Sequence, residues 1–272
     1  MISIAILIAS YNRRINTYKT IKKIYNQKKK FNYKIKIFLT DDNSTDNTAG
    51  FIKKKYSEIT ILKGNNNLYW TGGTNKSWRA AIKDQIKFDY YLWLNDDTFL
   101  YPNAITDLLS ATKFFSKKNL ICVGSTKDRN NKRTYGGFLN LGSKTRVFKN
   151  TIIYPNQNYQ AINRFNGNIV LISREVQKKI GLLNENLKHY FSDIEYGIRA
   201  EKKNIKMVIC PGYQGICEKD KKIINFKDFI LGKKIISTGF YLTRKYGGLL
   251  WPLHFLSLIY SFLKKTYIFP GK

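Results

Sequence analysis

Six of the chain's 18 acidic residues stand in three short clusters, Asp41 with Asp42, Asp96 with Asp97, and Asp193 with Glu195, in a sequence of 272 residues. Neighbouring carboxylates repel and raise one another's pKa, so solvation gives them no reason to gather. A bound cation or a proton in transit does. The second cluster closes the run Tyr90-Tyr91-Leu92-Trp93-Leu94-Asn95. Unbroken apolar residues read as a strand buried on both faces, which puts Asp96 and Asp97 at its carboxyl end, where open α/β sheets place ligands. Carboxylate oxygens suit a hard divalent cation, which can complete its shell from a diphosphate. Taken singly, each cluster also describes something plainer. Asp97 or Thr98 caps a turn, Asp41 to Asp46 is rich in turn formers, and Asp193 caps a helix.

The elements that must position these groups follow from the hydrophobic pattern. Residues 2–9 read as a buried strand ending at Ser10-Tyr11-Asn12-Arg13-Arg14, residues 16–28 as a helix, and residues 33–39 as a second strand ending at Asp41 and Asp42. Asp46 caps a helix running through 52–56, and a third strand covers 59–62. Residues 65–75 read as a loop whose Gly72 and Gly73 permit close backbone approach to a ligand, leading into a helix over 76–87 whose first amides favour an anion. A helix over 102–115, a strand over 120–123, hairpins or a flap over 125–160, a strand over 167–173 and a helix over 174–180 come next. Asp193 then falls in the first turn of a helix, where the dipole favours an ionised carboxylate, before a last strand over 206–210 and a closing loop over 212–219. Strands alternating with helices predict a mostly parallel sheet covered on both faces, with the strand ends gathered at one edge. A carboxylate at the end of the second strand can read a base or ribose there, with phosphates toward the cation.

Composition narrows the partners. The chain is 43% hydrophobic and 15% aromatic, which excludes disorder, and its formal charge of +30 draws it to nucleic acid, anionic lipid or phosphorylated small molecules. AT-rich coding accounts for the excess of Lys, Asn and Ile equally well. Cys122, Cys210 and Cys217 form neither a disulfide framework nor a zinc spacing, so they read as reduced thiols in a reducing compartment. The opening residues read as a strand, not a secretory leader. The apolar run 249–263, interrupted by Pro252 and His254 and followed by Lys264 and Lys265, is shorter than the roughly 20 residues that span a bilayer. It fits an interfacial segment on an anionic leaflet, or equally a buried terminal helix or dimer contact.

Taken together the clusters resemble the family 2 glycosyltransferases with the GT-A fold, of the bacterial type that builds O-antigen or capsule. The resemblance covers residues 2–218 and rests on Ile8-Ala9-Ser10-Tyr11-Asn12-Arg13, Asp41 to Asp46, Leu94-Asn95-Asp96-Asp97-Thr98, Gly167 to Ser173, and Ser192-Asp193-Ile194-Glu195. It implies an α/β, Rossmann-like, mostly parallel central sheet flanked by helices in residues 1–225, with a nucleotide-sugar half (1–100), an acceptor and catalytic half (101–225) and a basic amphipathic helical tail (226–272). It implies base and ribose contacts from Ala9, Tyr11 and Asp42, approach to the donor by Gly73 and Asn75, Asp96 near the ribose or diphosphate, Asp97 on Mn²⁺ or Mg²⁺, and Asp193 as general base. The implied reaction moves a hexosyl or deoxyhexosyl group, with inversion, from a UDP- or dTDP-sugar to a saccharide acceptor, lipid-diphosphate-linked, at the cytoplasmic face of the cell membrane. Two departures stand out. Ser192 occupies the place where relatives carry Glu, so Glu195 is a candidate to share the base role. Gln214 and Cys217 stand after the last strand, where many relatives place a metal-binding His, which leaves the cation to Asp97, diphosphate and water.

Two rival readings keep the same residues. A basic nucleic-acid-binding module would exploit the charge, although acidic clusters repel phosphate, so no nucleic acid is expected. A catalytically silent scaffold would keep the fold alone.

Overall fold

The computed structural model describes residues 1–28, 32–116, 119–140, 150–188 and 191–219. The chain divides into two compact units, Met1–Gly137 with Ile153–Lys219, and Phe138–Ile152 with Asp220–Lys272. Every described acidic cluster lies in the first.

In chain order the elements are β1 (Ile2–Ser10), α1 (Arg14–Tyr25), β2 (Tyr33–Asp41), α2 (Thr48–Lys55), β3 (Thr60–Lys63), α3 (Tyr69–Lys83), β4 (Tyr90–Leu94), β5 (Phe99–Leu100), α4 (Ala104–Phe114), β6 (Leu120–Lys127), β7 (Gly137–Asn140), β8 (Asn150–Ile152), β9 (Gln160–Ala161), β10 (Arg164–Phe165), β11 (Ile169–Ser173), α5 (Arg174–Ile180), α6 (Ser192–Lys202) and β12 (Lys206–Ile216). The main sheet runs β3-β2-β1-β4-β11-β6-β12-β5, with β9 paired to β12. Within the second unit, β8 pairs antiparallel with β7, Phe138 opposite Ile152. The tail expected over 226–272 lies outside the described residues. Among the described residues no helix is long and apolar enough to cross a membrane.

The α/β architecture expected from the sequence is present, with one difference of direction. The sheet is parallel from β3 through β2 and β1 to β4, but β11 runs antiparallel to both β4 and β6. An apolar run carries no signal of direction, because a central strand is buried on both faces either way. The consequence is local: the beginning of β11, not its end, meets the carboxyl end of β4. Ile169 pairs with Leu94, and the Asn95 amide donates to the Asn168 carbonyl at 3.2 Å.

Alternation along the strands divides the core. Ile4, Ile6 and Ile8 of β1 join Leu92, Leu108 and Ile21 on one face, while Ala5 and Leu7 face Trp78, Trp93 and Tyr196 on the other. Trp93 of β4 meets Trp78 of α3 at 5.4 Å and Tyr196 of α6 at 5.0 Å between ring centroids, both edge-on. Such pairs add about 0.5–1.5 kcal/mol each beyond area burial, and here they lock α3 and α6 to the strand that ends in the acidic pair.

Of the boundaries that differ from the sequence reading, two bear on the site. The closing loop is strand, since β12 continues to Ile216 and pairs with β6 through Lys127. More consequentially, α3 begins at Tyr69, so residues 69–75 of the segment read as a loop are the first two turns of a helix. Gly73 therefore serves packing: a Cβ there would lie 2.7 Å from Ala9 Cβ, and glycine lets α3 settle on β1. Gly73→Ala should lower stability by about 1–3 kcal/mol through overpacking. The double variant with Ala9→Gly should recover most of that in thermal melts, and a double variant no more stable than the single one would refute the contact.

Candidate active site

Four consecutive residues at the start of α3 connect all three acidic clusters. Asp42, at the end of β2, accepts the amides of Asn65 (3.1 Å) and Asn66 (2.8 Å) on one oxygen and those of Leu68 (2.9 Å) and Tyr69 (3.2 Å) on the other. Trp70 then donates its indole N–H to Asn95 Oδ1 at 2.8 Å, next to Asp96. Its ring packs on Gly167, where an added Cβ would stand 2.5 Å from two ring carbons and 3.5 Å from Asp193 Cβ. Thr71 closes the circuit, with its hydroxyl 2.8 Å from Ser192 Oγ and 2.6 Å from the Leu187 carbonyl oxygen. Tyr69 and Phe191, which open α3 and lead into α6, both take left-handed backbone angles, φ 55° and 67°. For aromatic residues these conformations cost of order 1–3 kcal/mol and persist only where neighbours enforce them.

The second cluster carries its own cation. The Arg13 guanidinium, in the turn between β1 and α1, donates from Nη1 to Asp96 Oδ1 at 3.4 Å and also to Asp97 Oδ2. Asp96 is buried, with its side chain 8% exposed, whereas that of Asp97 is 24% exposed. Burial pushes the Asp96 carboxyl up to about 7, and the Arg13 charge opposes that shift while Asp97 adds to it. Cys217, just past β12, lies 3.6 Å from Asp97 Oδ1 and accepts from Asn168 Nδ2 at 3.4 Å. Burial and the Asp97 charge push this thiol up to about 12, so it stands as a neutral group beside the carboxylate. Gln214 turns away and donates to the Pro211 carbonyl at 2.8 Å. A pair of carboxylates at a sheet edge that already seats a guanidinium fits a divalent cation, with Asp97 the more accessible ligand.

Asp193 lies in the first turn of α6, half-buried. Its Oδ2 accepts the Gly167 amide at 2.9 Å and its Oδ1 the Ile194 amide at 2.8 Å. Burial raises its pKa and these amides pull it back. Glu195, by contrast, is buried and paired with Arg199 at 2.9 Å, whose guanidinium also donates to the Ile180 and Leu182 carbonyls at 2.7 and 2.8 Å. It is committed to holding α6 against the segment before it and does not share the place of Asp193.

Of the other residues expected to bind a donor, Tyr11 is 47% exposed at the edge. Ala9 meets Gly73 as described. Asp42 is buried with four amides filling its acceptor sites, so a base contact there would have to displace one of them. Asn75 is fully buried and clamps the segment before α6, donating to the Leu183 carbonyl at 2.9 Å and accepting the Leu183 amide at 3.0 Å. Gly73 and Asn75 thus shape the scaffold instead of facing a ligand, because the helix that contains them starts earlier than its polar, Gly-containing sequence suggests. Sequence reasoning gave no role to Arg13, Trp70 or Asn95. The signals were a guanidinium one residue past the first strand's Tyr-Asn and a tryptophan set among polar and glycine residues.

Residues 5–181 match the family described as Glycosyl transferase family 2, which is more than half of the chain. The chain belongs to glycosyl transferase family 2. A Campylobacter jejuni protein, GalNAc(5)-diNAcBac-PP-undecaprenol beta-1,3-glucosyltransferase, is 27% identical over 109 residues, 40% of this chain and 34% of that protein. The matched stretch is thus about a third of that relative's length. Among solved structures, residues 1–349 of S. aureus TarS superpose with a TM-score of 0.61 at 14% identity, over 97% of this chain and 73% of that one. The Pyrobaculum calidifontis mannosyltransferase PcManGT, in complex with GDP-Man and Mn²⁺, gives 0.57 at 13% identity over 94% and 64%. These likenesses show the fold, and it is the GT-A fold expected from the sequence. Within this family 2 chain, the edge carrying Asp42, Asp96, Asp97 and Asp193 is the candidate active site.

Proposed function

We propose that the protein is an inverting glycosyltransferase that uses a nucleoside-diphosphate sugar and a divalent cation, Mn²⁺ or Mg²⁺, to extend a saccharide acceptor. The observation that carries this reading is that residues 68–71 bond to Asp42, to Asn95 beside Asp96 and to Ser192 beside Asp193, since binding a diphosphate and deprotonating an alcohol must happen at one place. Asp97, with Asp96 behind it, would hold the cation, which supplies neutralisation of the charge that develops on the departing nucleoside diphosphate. Asp193 would take the proton of the acceptor hydroxyl as that oxygen attacks the anomeric carbon from the face opposite the leaving group, inverting the centre. The Gly167 and Ile194 amides orient its carboxylate. Trp70, bonded to Asn95 and packed on Gly167, would link the base to the cation-binding pair.

The acceptor we favour is lipid-diphosphate-linked, as in bacterial surface polysaccharide synthesis at the inner face of the cell membrane. The activity of the Campylobacter relative and the charge of +30 support it. UDP-, dTDP- and GDP-sugars, tested for thermal stabilisation and slow hydrolysis with and without Mn²⁺, check the transferase reading. A protein that responds to none of them in the presence of Mn²⁺ is not such a transferase. Sedimentation with anionic but not neutral vesicles checks the membrane part.

A further inference from the structure

We propose that Arg13 guards the cation seat: its guanidinium pairs with Asp96 and Asp97 until a divalent cation arrives together with a diphosphate, and then pairs with that diphosphate. This rests on the transferase reading above and adds a residue and an order of binding to it.

The backbone around Arg13 is pinned. Asn12 holds a left-handed conformation, φ 52°, and its Oδ1 accepts the Thr45 amide at 2.7 Å, while the Arg13 carbonyl accepts the Thr17 amide and hydroxyl, both at 2.9 Å. The side chain is 40% exposed and reaches both carboxylates from one nitrogen. Charge counting then separates two states. With both carboxylates ionised, they and the one guanidinium leave a net −1. A divalent cation entering alone raises this to +1 and forces two positive groups onto the same oxygens. A cation entering with the −2 diphosphate of a nucleotide-sugar restores −1, and one entering with a free nucleoside diphosphate of about −3 gives about −2; either offers the guanidinium a new partner, since its planar fork matches phosphate oxygens as well as carboxylate ones. Bare cation is therefore opposed by Arg13, and cation with diphosphate is helped by it.

That opposition of sign separates a guard from a structural ion pair, whose loss would weaken both kinds of binding together. The test uses Mn²⁺ alone, followed by the free-ion paramagnetic resonance signal, and then UDP, GDP or dTDP, whichever stabilises the wild type most with Mn²⁺. Arg13→Gln should bind Mn²⁺ alone about tenfold more tightly than wild type and bind the nucleoside diphosphate with Mn²⁺ about tenfold more weakly. Arg13→Lys keeps the charge but not the fork, so its affinity for Mn²⁺ alone should stay within about threefold of wild type. Melting curves check that each variant is folded, and Arg13→Lys supplies the comparison if Arg13→Gln is not. Unchanged or weakened Mn²⁺ binding in folded Arg13→Gln overturns the proposal, as does a Lys variant that binds Mn²⁺ as tightly as the Gln variant. If wild type itself takes up no nucleoside diphosphate with Mn²⁺, the transferase reading fails first. If it does and Arg13→Gln shows no reversal, only the guard is lost.

Discussion

Asp193→Asn should lower turnover by about 10²–10⁴-fold while leaving nucleoside-diphosphate binding within about twofold of wild type. Asparagine is the informative substitution because its side-chain oxygen can still accept the Gly167 amide, so α6 and β11 stay joined and only the capacity to take a proton is lost. Burial raises the Asp193 pKa, which makes it a stronger base than an exposed aspartate. A base must be ionised, so protonation removes activity as pH falls, and the acid limb of kcat should lie above the usual aspartate range. Turnover near wild type in Asp193→Asn, or a loss that appears wholly in nucleotide affinity, would assign the proton to another group. Glu195 is a poor substitute, since it is buried against Arg199.

The second large effect belongs to Asp97. Replacing it with Asn should reduce kcat/KM by about 10²-fold or more, because the charge that develops on the leaving diphosphate loses the cation that would stabilise it. Nucleotide binding should also stop responding to Mn²⁺. The fold should survive: Asp97 is partly exposed, and its hydrogen-bond partners Arg13 and Cys217 keep other contacts, with Asp96 and Asn168. A melting temperature close to wild type together with a flat Mn²⁺ response is the expected pair of results. A variant still stimulated by Mn²⁺ would move the cation away from the Asp96–Asp97 edge.

Both predictions use residues that were legible in the sequence. Apolar runs that stop on carboxylates mark strand ends, and the helical spacing around Asp193 places it in a first turn, so Asp42, Asp96, Asp97 and Asp193 stand at element termini as expected. The alternation of strands and helices likewise gave the α/β class. These features are local, written in side-chain type and period, and a chain can state them without a partner.

Tertiary structure decided the rest. The direction of β11 depends on which end of the strand reaches β4, which apolar residues do not record, yet it brings Gly167 to Asp193 and Asn168 to Cys217. The start of α3 at Tyr69 depends on Asp42, 26 and 27 residues earlier, supplying acceptors for the Leu68 and Tyr69 amides. No local propensity favours a helix through Thr71-Gly72-Gly73-Thr74; a carboxylate at its amino terminus and an alanine beneath Gly73 do. The same contact turns Asp42 from a residue free to read a base into one that shapes the site. Arg13 is the sharpest case, because a lone arginine after a strand looks like any of the chain's 48 basic residues until folding sets it against the acidic pair. Residue type determined which groups could do chemistry, and long-range pairing determined which of them are free to do it.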